Sequence, residues 1–263
     1  MAVQEHFDTR ALGPDTTAGM GVQLLVLEAL CRVVGLGTAG WLTGSAFAVV
    51  TWAVLTRALR RSWTGPFGPA NRVTLARAIL VGGVAALVAD SFDRRAPVAV
   101  LTALATVALI LDAVDGQVAR RTGTATRLGA RFDMEVDAFL ILVLCVYVAM
   151  PLGVWVLAIG LMRYAFVAAS WAWPWLRGAL PPSMARKTVA ALQGVVLVVA
   201  GAGIVPRAVA GAAVAGALAL LVWSFGRDVR WLWRVRPGAP AAARCPRAVP
   251  GRRPVRGRAA AGS

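Results

Sequence analysis

The sequence contains few histidines, cysteines and acidic residues. Its 263 residues include one histidine, three cysteines (Cys31, Cys145 and Cys245) and 12 Asp or Glu. The histidine, His6, lies in a polar N-terminal segment, which excludes a Ser-His-Asp triad, a histidine zinc site and a histidine general base in the apolar part. Three cysteines without a C-x-x-C spacing make no disulfide framework. Residues 1–19 lack a basic segment followed by an apolar one, so no cleaved signal peptide is expected.

Apolar residues dominate the composition of the chain. They make up 59% of the chain, and the mean hydropathy is +0.69. A membrane-spanning helix needs about 20 mostly apolar residues, and apolar runs of nearly this length recur along the sequence. The sequence therefore predicts an all-α, polytopic transmembrane bundle. The candidate spans are 73–90, 97–111, 138–150, 153–173, 189–205 and 208–224.

Residues 20–58 form an apolar stretch about twice as long as one span. The glycine-rich sequence GLGTAG at 35–40 indicates a turn near its middle. Glu28 and Arg32 are spaced i,i+4 and can neutralise each other. We expect a helical hairpin, which raises the total to about eight spans; one span plus a surface helix is the alternative. The predicted organisation is an N-terminal polar segment and hairpin (1–66), a transmembrane core (67–226) and a basic tail (227–263).

Arginine-rich loops set the expected orientation. Basic residues gather at 57–72, 120–131, 177–187 and after 226, and the intervening loops are poorer. This alternation follows the positive-inside rule and predicts that these loops and the C-terminus face the cytoplasm. The tail holds ten Arg and one acid between 227 and 258, with several prolines, so we expect a disordered segment beside anionic lipid headgroups. A purely topogenic role is the alternative, and no nucleic acid is expected.

The scarce acids cluster in one stretch, LDAVDGQVARRTGTATRLGARFDMEVD at 111–137. If the preceding helix continues, Asp112, Asp115, Gly116 and Arg120 share one of its faces. After a polar turn, Asp133 and Asp137 are spaced i,i+4 on a second helix. Glu135 lies between these two and points elsewhere. Two helices joined by a short loop pack side by side, which would bring four carboxylates together.

Four adjacent carboxylates repel one another unless cations neutralise them. Oxygen ligands without His or Cys favour a hard ion, and four carboxylates suit two ions of Mg²⁺ or Mn²⁺. Gly116 and Gly129 allow close approach of a ligand, and Arg120 can hold a phosphate. Two alternatives are a structural cap at a helix end and a proton or cation path. The acids cluster at one membrane face, which disfavours the path.

The pattern Asp112-x2-Asp115-Gly116-x2-Ala119-Arg120-x8-Gly129-x3-Asp133-x3-Asp137 resembles the signature of the CDP-alcohol phosphatidyltransferase family at every defined position. The segment NRVTLAR (Asn71, Thr74, Arg77) is similar to the opening of the family's first core helix. MARKTVAALQG at 184–194 is similar to a segment of several bacterial members. The resemblance covers about 71–224 and implies a six-helix core, to which the N-terminal hairpin is an addition.

The resemblance implies transfer of a phospho-alcohol group from a CDP-alcohol, commonly CDP-diacylglycerol, to an alcohol acceptor, with release of CMP. It also implies a homodimer. Asp112, Asp115 and Asp133 would bind metal, and Asp137 would bind the second metal and act as general base. The residues implied at the nucleotide or the donor are Gly116, Arg120, Thr126, Gly129, Asn71 and Thr74.

The acceptor is less constrained by the sequence. Arg163 is a charge within an apolar run, which is typical of a functional site. With Arg186 and Lys187 it could form a basic pocket for a phosphorylated acceptor. The alternative is that Arg163 extends to the membrane interface and the other two are ordinary positive-inside residues.

Two other functions compete with this interpretation. An intramembrane prenyltransferase of the UbiA type also uses Asp-rich motifs and Mg²⁺, but those motifs lie far apart, whereas here four Asp fall within 112–137. A divalent-cation or proton-coupled transporter would need acids inside other helices. Glu28 is the only such acid, and Arg32 is its expected partner.

Overall fold

The computed structural model describes residues 14–61, 69–122, 127–178, 180–181 and 183–236. These ranges are almost entirely helical, without a β-strand. These ranges contain eight α-helices: α1 (Pro14–Val34), α2 (Thr38–Arg61), α3 (Pro69–Asp90), α4 (Val98–Thr122), α5 (Arg127–Leu152), α6 (Leu157–Ala172), α7 (Met184–Gly201) and α8 (Arg207–Val235). Short 3₁₀ turns, Val154–Val156 and Pro174–Arg177, flank α6.

Within the described residues, seven helical segments are long and apolar enough to cross a membrane: Thr17–Val34, Thr38–Arg57, Arg72–Asp90, Gly129–Leu152, Val154–Ala172, Met184–Gly201 and Arg207–Val235. Helix α4 adds a shorter apolar stretch, Val98–Val114, before its polar end. The protein is thus an integral, multi-pass membrane protein, and the prediction of an all-α polytopic bundle is confirmed.

Helix α3 lies at the centre of the bundle. Inside the protein, 78% of its apolar segment is buried, against 17–39% for the other six segments. It packs against α1, α2, α4 and α5. Its residues are apolar on all sides between Val81 and Val88, as expected of a helix surrounded by other helices. A side chain on α3 can therefore contact several neighbouring helices at once.

The N-terminal hairpin is confirmed as two helices that both pack on α3. Its turn begins at Gly35, whose φ of 70° is a backbone conformation that favours glycine. The Gly37 N–H donates to Asp90 Oδ1 (2.9 Å), and Arg94 Nη1 donates to the Gly35 carbonyl (2.9 Å). These contacts fasten the turn to the end of α3. The expected Glu28–Arg32 ion pair is also present, at 2.8 Å.

Helix α8 is longer than the apolar run predicts. It continues to Val235, so residues 227–235 are helical and not part of a disordered tail. The apolar run ends near 224, but no proline interrupts the helix before Pro237. The guanidinium of Arg227 stacks on Trp223, and that of Arg236 stacks on Trp233. The remainder of the expected tail, 237–263, lies outside the described residues.

Candidate active site

Three of the four aspartates converge where α4 and α5 approach α3. Asp112 lies on α4, and Asp133 and Asp137 lie one helical turn apart on α5. One carboxylate oxygen from each lies within 4.8 Å of the others. Between 35% and 42% of each side chain is exposed, so the cluster is open on one side. The sequence spacing thus predicted correctly that these carboxylates meet.

Arg77 of α3 occupies the centre of this cluster. Its side chain is fully buried. Nη1 lies 2.5 Å from Asp112 Oδ1, and Nη2 contacts the carboxylate of Asp133 and lies 3.0 Å from Asp137 Oδ1. Nη2 also donates to the Asp133 backbone carbonyl at 3.2 Å. One guanidinium therefore joins carboxylates from two helices that follow each other in the chain.

The expected direct contact between α4 and α5 needs correction. Among the described residues, each of these helices packs more extensively on α3 than on the other. The carboxylates approach one another across α3, and Arg77 supplies the positive charge between them. This arrangement has a physical reason, because adjacent carboxylates repel one another and the charge of Arg77 offsets that repulsion.

The donor set fits a hard divalent cation. The three carboxylates and the Arg77 guanidinium together carry a formal charge of −2. Carboxylate oxygen is the preferred ligand of Mg²⁺, and Mn²⁺ accepts it equally. Because each carboxylate is partly exposed while Arg77 is buried beneath them, a cation can reach the oxygens from the open side. The residues present thus suit the metal that the sequence motif implies.

The other residues expected at the nucleotide or metal are described only in part. Thr74 is buried on α3, one turn before Arg77, and Gly129 lies in the first turn of α5. Gly116 follows Asp112 by one turn of α4. The side chains of Asn71, Asp115 and Arg120, and all of Thr126, lie outside the described residues.

Two of the three residues expected at the acceptor have acidic partners. Arg163 on α6 forms an ion pair with Glu135 of α5 through Nη2 and Oε1. Arg186 on α7 lies 3.4 Å from Asp228 of α8. Lys187 is exposed beside Arg186. Glu135 is thus absent from the carboxylate cluster, as its spacing predicted, and pairs instead with one of the proposed acceptor residues.

Arg77 is the site residue that the sequence interpretation left without a role. In the sequence it belongs to the NRVTLAR segment, which by itself assigns it no role. The signal that could have identified it is the one applied to Arg163, because Arg77 is also a charge inside an apolar run. Its contacts with both α4 and α5 depend on the central position of α3, which hydropathy does not reveal.

The chain is similar to a known protein family. The sequence model of the family described as CDP-alcohol phosphatidyltransferase matches residues 67–223. This range includes Arg77 and the three carboxylates, and it leaves out the N-terminal hairpin. No curated protein and no solved structure matches the chain.

Proposed function

The chain belongs to the CDP-alcohol phosphatidyltransferase family, and we propose that it transfers a phosphatidyl group from CDP-diacylglycerol to an alcohol, releasing CMP. The family reaction is the transfer of a phospho-alcohol group from a CDP-alcohol in phospholipid synthesis. The observation that carries the proposal is the cluster of Asp112, Asp133 and Asp137 around Arg77, inside the matched range.

The depth of the carboxylate cluster in the membrane suits a lipid donor. Arg77 is the sixth residue of the apolar segment that begins at Arg72, which places it about 7.5 Å along the helix axis. A diphosphate at this depth can meet the partly exposed carboxylates while its acyl chains remain among the lipids. CDP-diacylglycerol has this division between a charged headgroup and apolar tails, which supports it over a water-soluble CDP-alcohol.

The aspartates would hold the metal. Asp112, Asp133 and Asp137, together with Asp115, would bind two ions of Mg²⁺ or Mn²⁺. Such ions neutralise the charge of the diphosphate and of the departing CMP. Arg77 binds three of these carboxylates from below and fixes their positions relative to one another. Because Arg77 is fully buried, we assign it a positioning role and not contact with substrate.

Asp137 is the proposed general base. In the reaction, the acceptor oxygen forms a bond to the phosphorus that bears diacylglycerol, and the bond from that phosphorus to the CMP oxygen breaks. The acceptor proton passes to Asp137, and CMP leaves with the bonding electrons. Asp137 suits this role because its side chain is 41% exposed and a hydroxyl can approach it.

The nucleotide and the acceptor would occupy the surrounding residues. Gly116, Arg120, Thr126 and Gly129 are proposed at the cytidine diphosphate, with Asn71 and Thr74 bordering the donor. Arg163, Arg186 and Lys187 are proposed at a phosphorylated acceptor. The ion pair of Arg163 with Glu135 would orient the guanidinium toward that acceptor.

The proposed site faces the cytoplasm, and the protein is proposed to act as a homodimer. Orientation rests on the arginine-rich loops that flank the carboxylate end of the bundle. A prenyltransferase or a transporter is less well supported, since the family match covers all four motif aspartates. For transport, Glu28 is already paired with Arg32 on the exposed surface.

The proposal is tested with the full chain purified in detergent. The protein is supplied with CDP-diacylglycerol and Mg²⁺ or Mn²⁺, and CMP release is measured with glycerol 3-phosphate, inositol 1-phosphate, phosphatidylglycerol and uncharged alcohols in turn. CMP release that depends on one acceptor and is abolished by EDTA supports the proposal. Absence of CMP release with every acceptor contradicts it.

A further inference from the structure

The last turns of α8 extend beyond the hydrocarbon layer of the membrane. Helix α8 has 29 residues, Arg207–Val235, whereas about 20 residues are enough for a helix to cross that layer. A span that begins at Arg207 therefore ends near Gly226. Residues 227–235 then lie in the headgroup layer at that end of the bundle, where arginine and tryptophan are favoured.

This terminal segment of α8 is fixed to the bundle through one face. The side chain of Leu232 is fully buried, and a Cβ atom added at Gly178 would lie 2.9 Å from Leu232 Cδ2. Gly178 directly follows the 3₁₀ turn Pro174–Arg177, on which α8 packs and whose Leu176 is also buried. These contacts set the rotation of the segment about its axis, so its opposite face is turned away from the protein.

Arginines occupy that opposite face. In a helix of 3.6 residues per turn, Arg227, Arg230 and Arg234 project within about 60° of one another. This direction is opposite to that of Leu232. Trp223, one turn before Arg227, lies on the same side of α8 and is 52% exposed. The arginines therefore continue a face that is turned toward lipid within the apolar part of the helix.

Two of these arginines have no acidic partner in the part of the chain that the structure describes. Arg230 and Arg234 are exposed, and no ion pair there includes either of them. Asp228, the only acid on α8, is 14% exposed and lies beside Arg186 and Arg227 instead. The outward charges of Arg230 and Arg234 are thus available to an anion from outside the protein.

We propose that the end of α8 binds the headgroup of an anionic phospholipid. Arg230 and Arg234 donate hydrogen bonds to the phosphate oxygens. Trp231 and Trp233, which are 37% and 53% exposed, flank these arginines on the two sides of the helix and anchor it at the membrane interface. An anionic headgroup is favoured because the ammonium group of a zwitterionic one offsets the attraction of the phosphate. This surface lies beyond the family match, which ends at residue 223, and takes no part in the proposed reaction.

The test compares an anionic and a zwitterionic lipid with the same acyl chains. Full-length protein is delipidated in detergent and titrated with dioleoyl phosphatidylserine or dioleoyl phosphatidylcholine, and bound lipid is counted by native mass spectrometry. Phosphatidylserine is neither the proposed donor nor one of the acceptors to be screened. Each arginine near a membrane surface favours an anionic lipid about fivefold, so the wild-type protein should bind phosphatidylserine about tenfold or more tightly than phosphatidylcholine. Equal binding of the two lipids would overturn the proposal.

Double variants locate the preference for the anionic lipid. Arg230→Gln combined with Arg234→Gln should reduce that preference about fivefold or more. Arg95→Gln combined with Arg207→Gln removes the same charge from two exposed arginines at the other end of the bundle, and this control should keep the preference. Arg230→Lys combined with Arg234→Lys retains both charges and should keep it too. A preference that survives the first double variant, or falls equally in either of the other two, contradicts binding at this surface.

Discussion

The guanidinium of Arg77 lies 3.0 Å from the carboxylate of Asp137, although the two residues belong to different helices. The same guanidinium contacts Asp112 and Asp133. The buried guanidinium on the central helix therefore holds three of the four proposed metal ligands in place. Arg77 contacts these carboxylates from the protein interior, and a divalent ion would reach them from the open face.

Arg77→Met should destabilise the protein when metal is removed with EDTA. The substitution keeps an unbranched side chain about as long as the aliphatic part of arginine, but it leaves three carboxylates without their buried counter-charge. Loss of one partner of a buried ion pair costs about 3–5 kcal/mol, and partial exposure of these carboxylates reduces this to about 2 kcal/mol. Thermal unfolding in EDTA measures the loss. Mn²⁺ should raise the unfolding temperature more in Arg77→Met than in the wild type, because the ion replaces the missing charge.

Arg77→Lys is the matched control for that variant. It keeps the charge, but an ammonium group cannot bridge three carboxylates as the guanidinium fork does. Its stability in EDTA should lie between those of the wild type and Arg77→Met. Unchanged stability of Arg77→Met in EDTA would show that the ion pairs contribute nothing to the fold.

Arg163→Ala should weaken the use of a phosphorylated acceptor. Hydrogen bonds to charged groups contribute about 1.5–3 kcal/mol, so the acceptor KM should rise about tenfold or more. The KM for CDP-diacylglycerol should change little. Steady-state kinetics with each substrate varied in turn gives both values, and the exposed Arg207→Ala at the start of α8 is the control. Equal rises in both KM values would contradict the placement of Arg163 at the acceptor site.

Gly37→Ala should loosen the N-terminal hairpin. A Cβ atom at residue 37 would lie 2.4 Å from Asp90 Oδ1, which accepts the Gly37 N–H. Overpacking of this kind costs about 1–3 kcal/mol. The unfolding temperature should fall, and a protease should cut the loop at 35–37 faster. Gly211→Ala is the control, since nothing lies within 4 Å of its added Cβ. Equal behaviour of the two variants would contradict the docking role of Asp90.

The orientation in the membrane can be measured by cysteine labelling. With the three native cysteines replaced by alanine, Asp93→Cys lies between α3 and α4, and Arg234→Cys lies at the end of α8. A membrane-impermeant maleimide applied to intact cells should label Asp93→Cys. It should label Arg234→Cys only after the membrane is permeabilised. The reverse pattern would place the carboxylate end outside the cytoplasm.

Most of the fold can be predicted from the lengths of the apolar runs and from the position of the glycine-rich break between the first two helices. The break at Gly35 divides α1 from α2 because its φ is positive, and GLGTAG indicates this directly. The end of α8 could not be predicted in the same way. Its last two turns carry Trp231, Trp233, Arg230 and Arg234. These residues suit a membrane interface but lower the hydropathy below that of a span.

Within the site, helical spacing was sufficient to predict which carboxylates share a helix face. It was not sufficient to predict which arginines pair with the acidic residues. Residues spaced i,i+4 share a face in any helix, so Asp133 and Asp137 could be paired from the sequence. The contacts of Arg77 with Asp112, and of Arg163 with Glu135, join different helices. They depend on which helix occupies the centre and on how the faces rotate, and a single sequence does not specify either.

The most direct test of the proposed function is the rate of CMP release by Asp137→Asn. Removal of a general base costs about 10²–10⁴ in rate. With CDP-diacylglycerol, Mn²⁺ and the acceptor identified by screening, we predict a loss of at least 100-fold relative to the wild type. Asp93→Asn, an exposed acid between α3 and α4, should retain the wild-type rate. A wild-type rate of CMP release in Asp137→Asn would contradict the assignment of this carboxylate and the mechanism built on it.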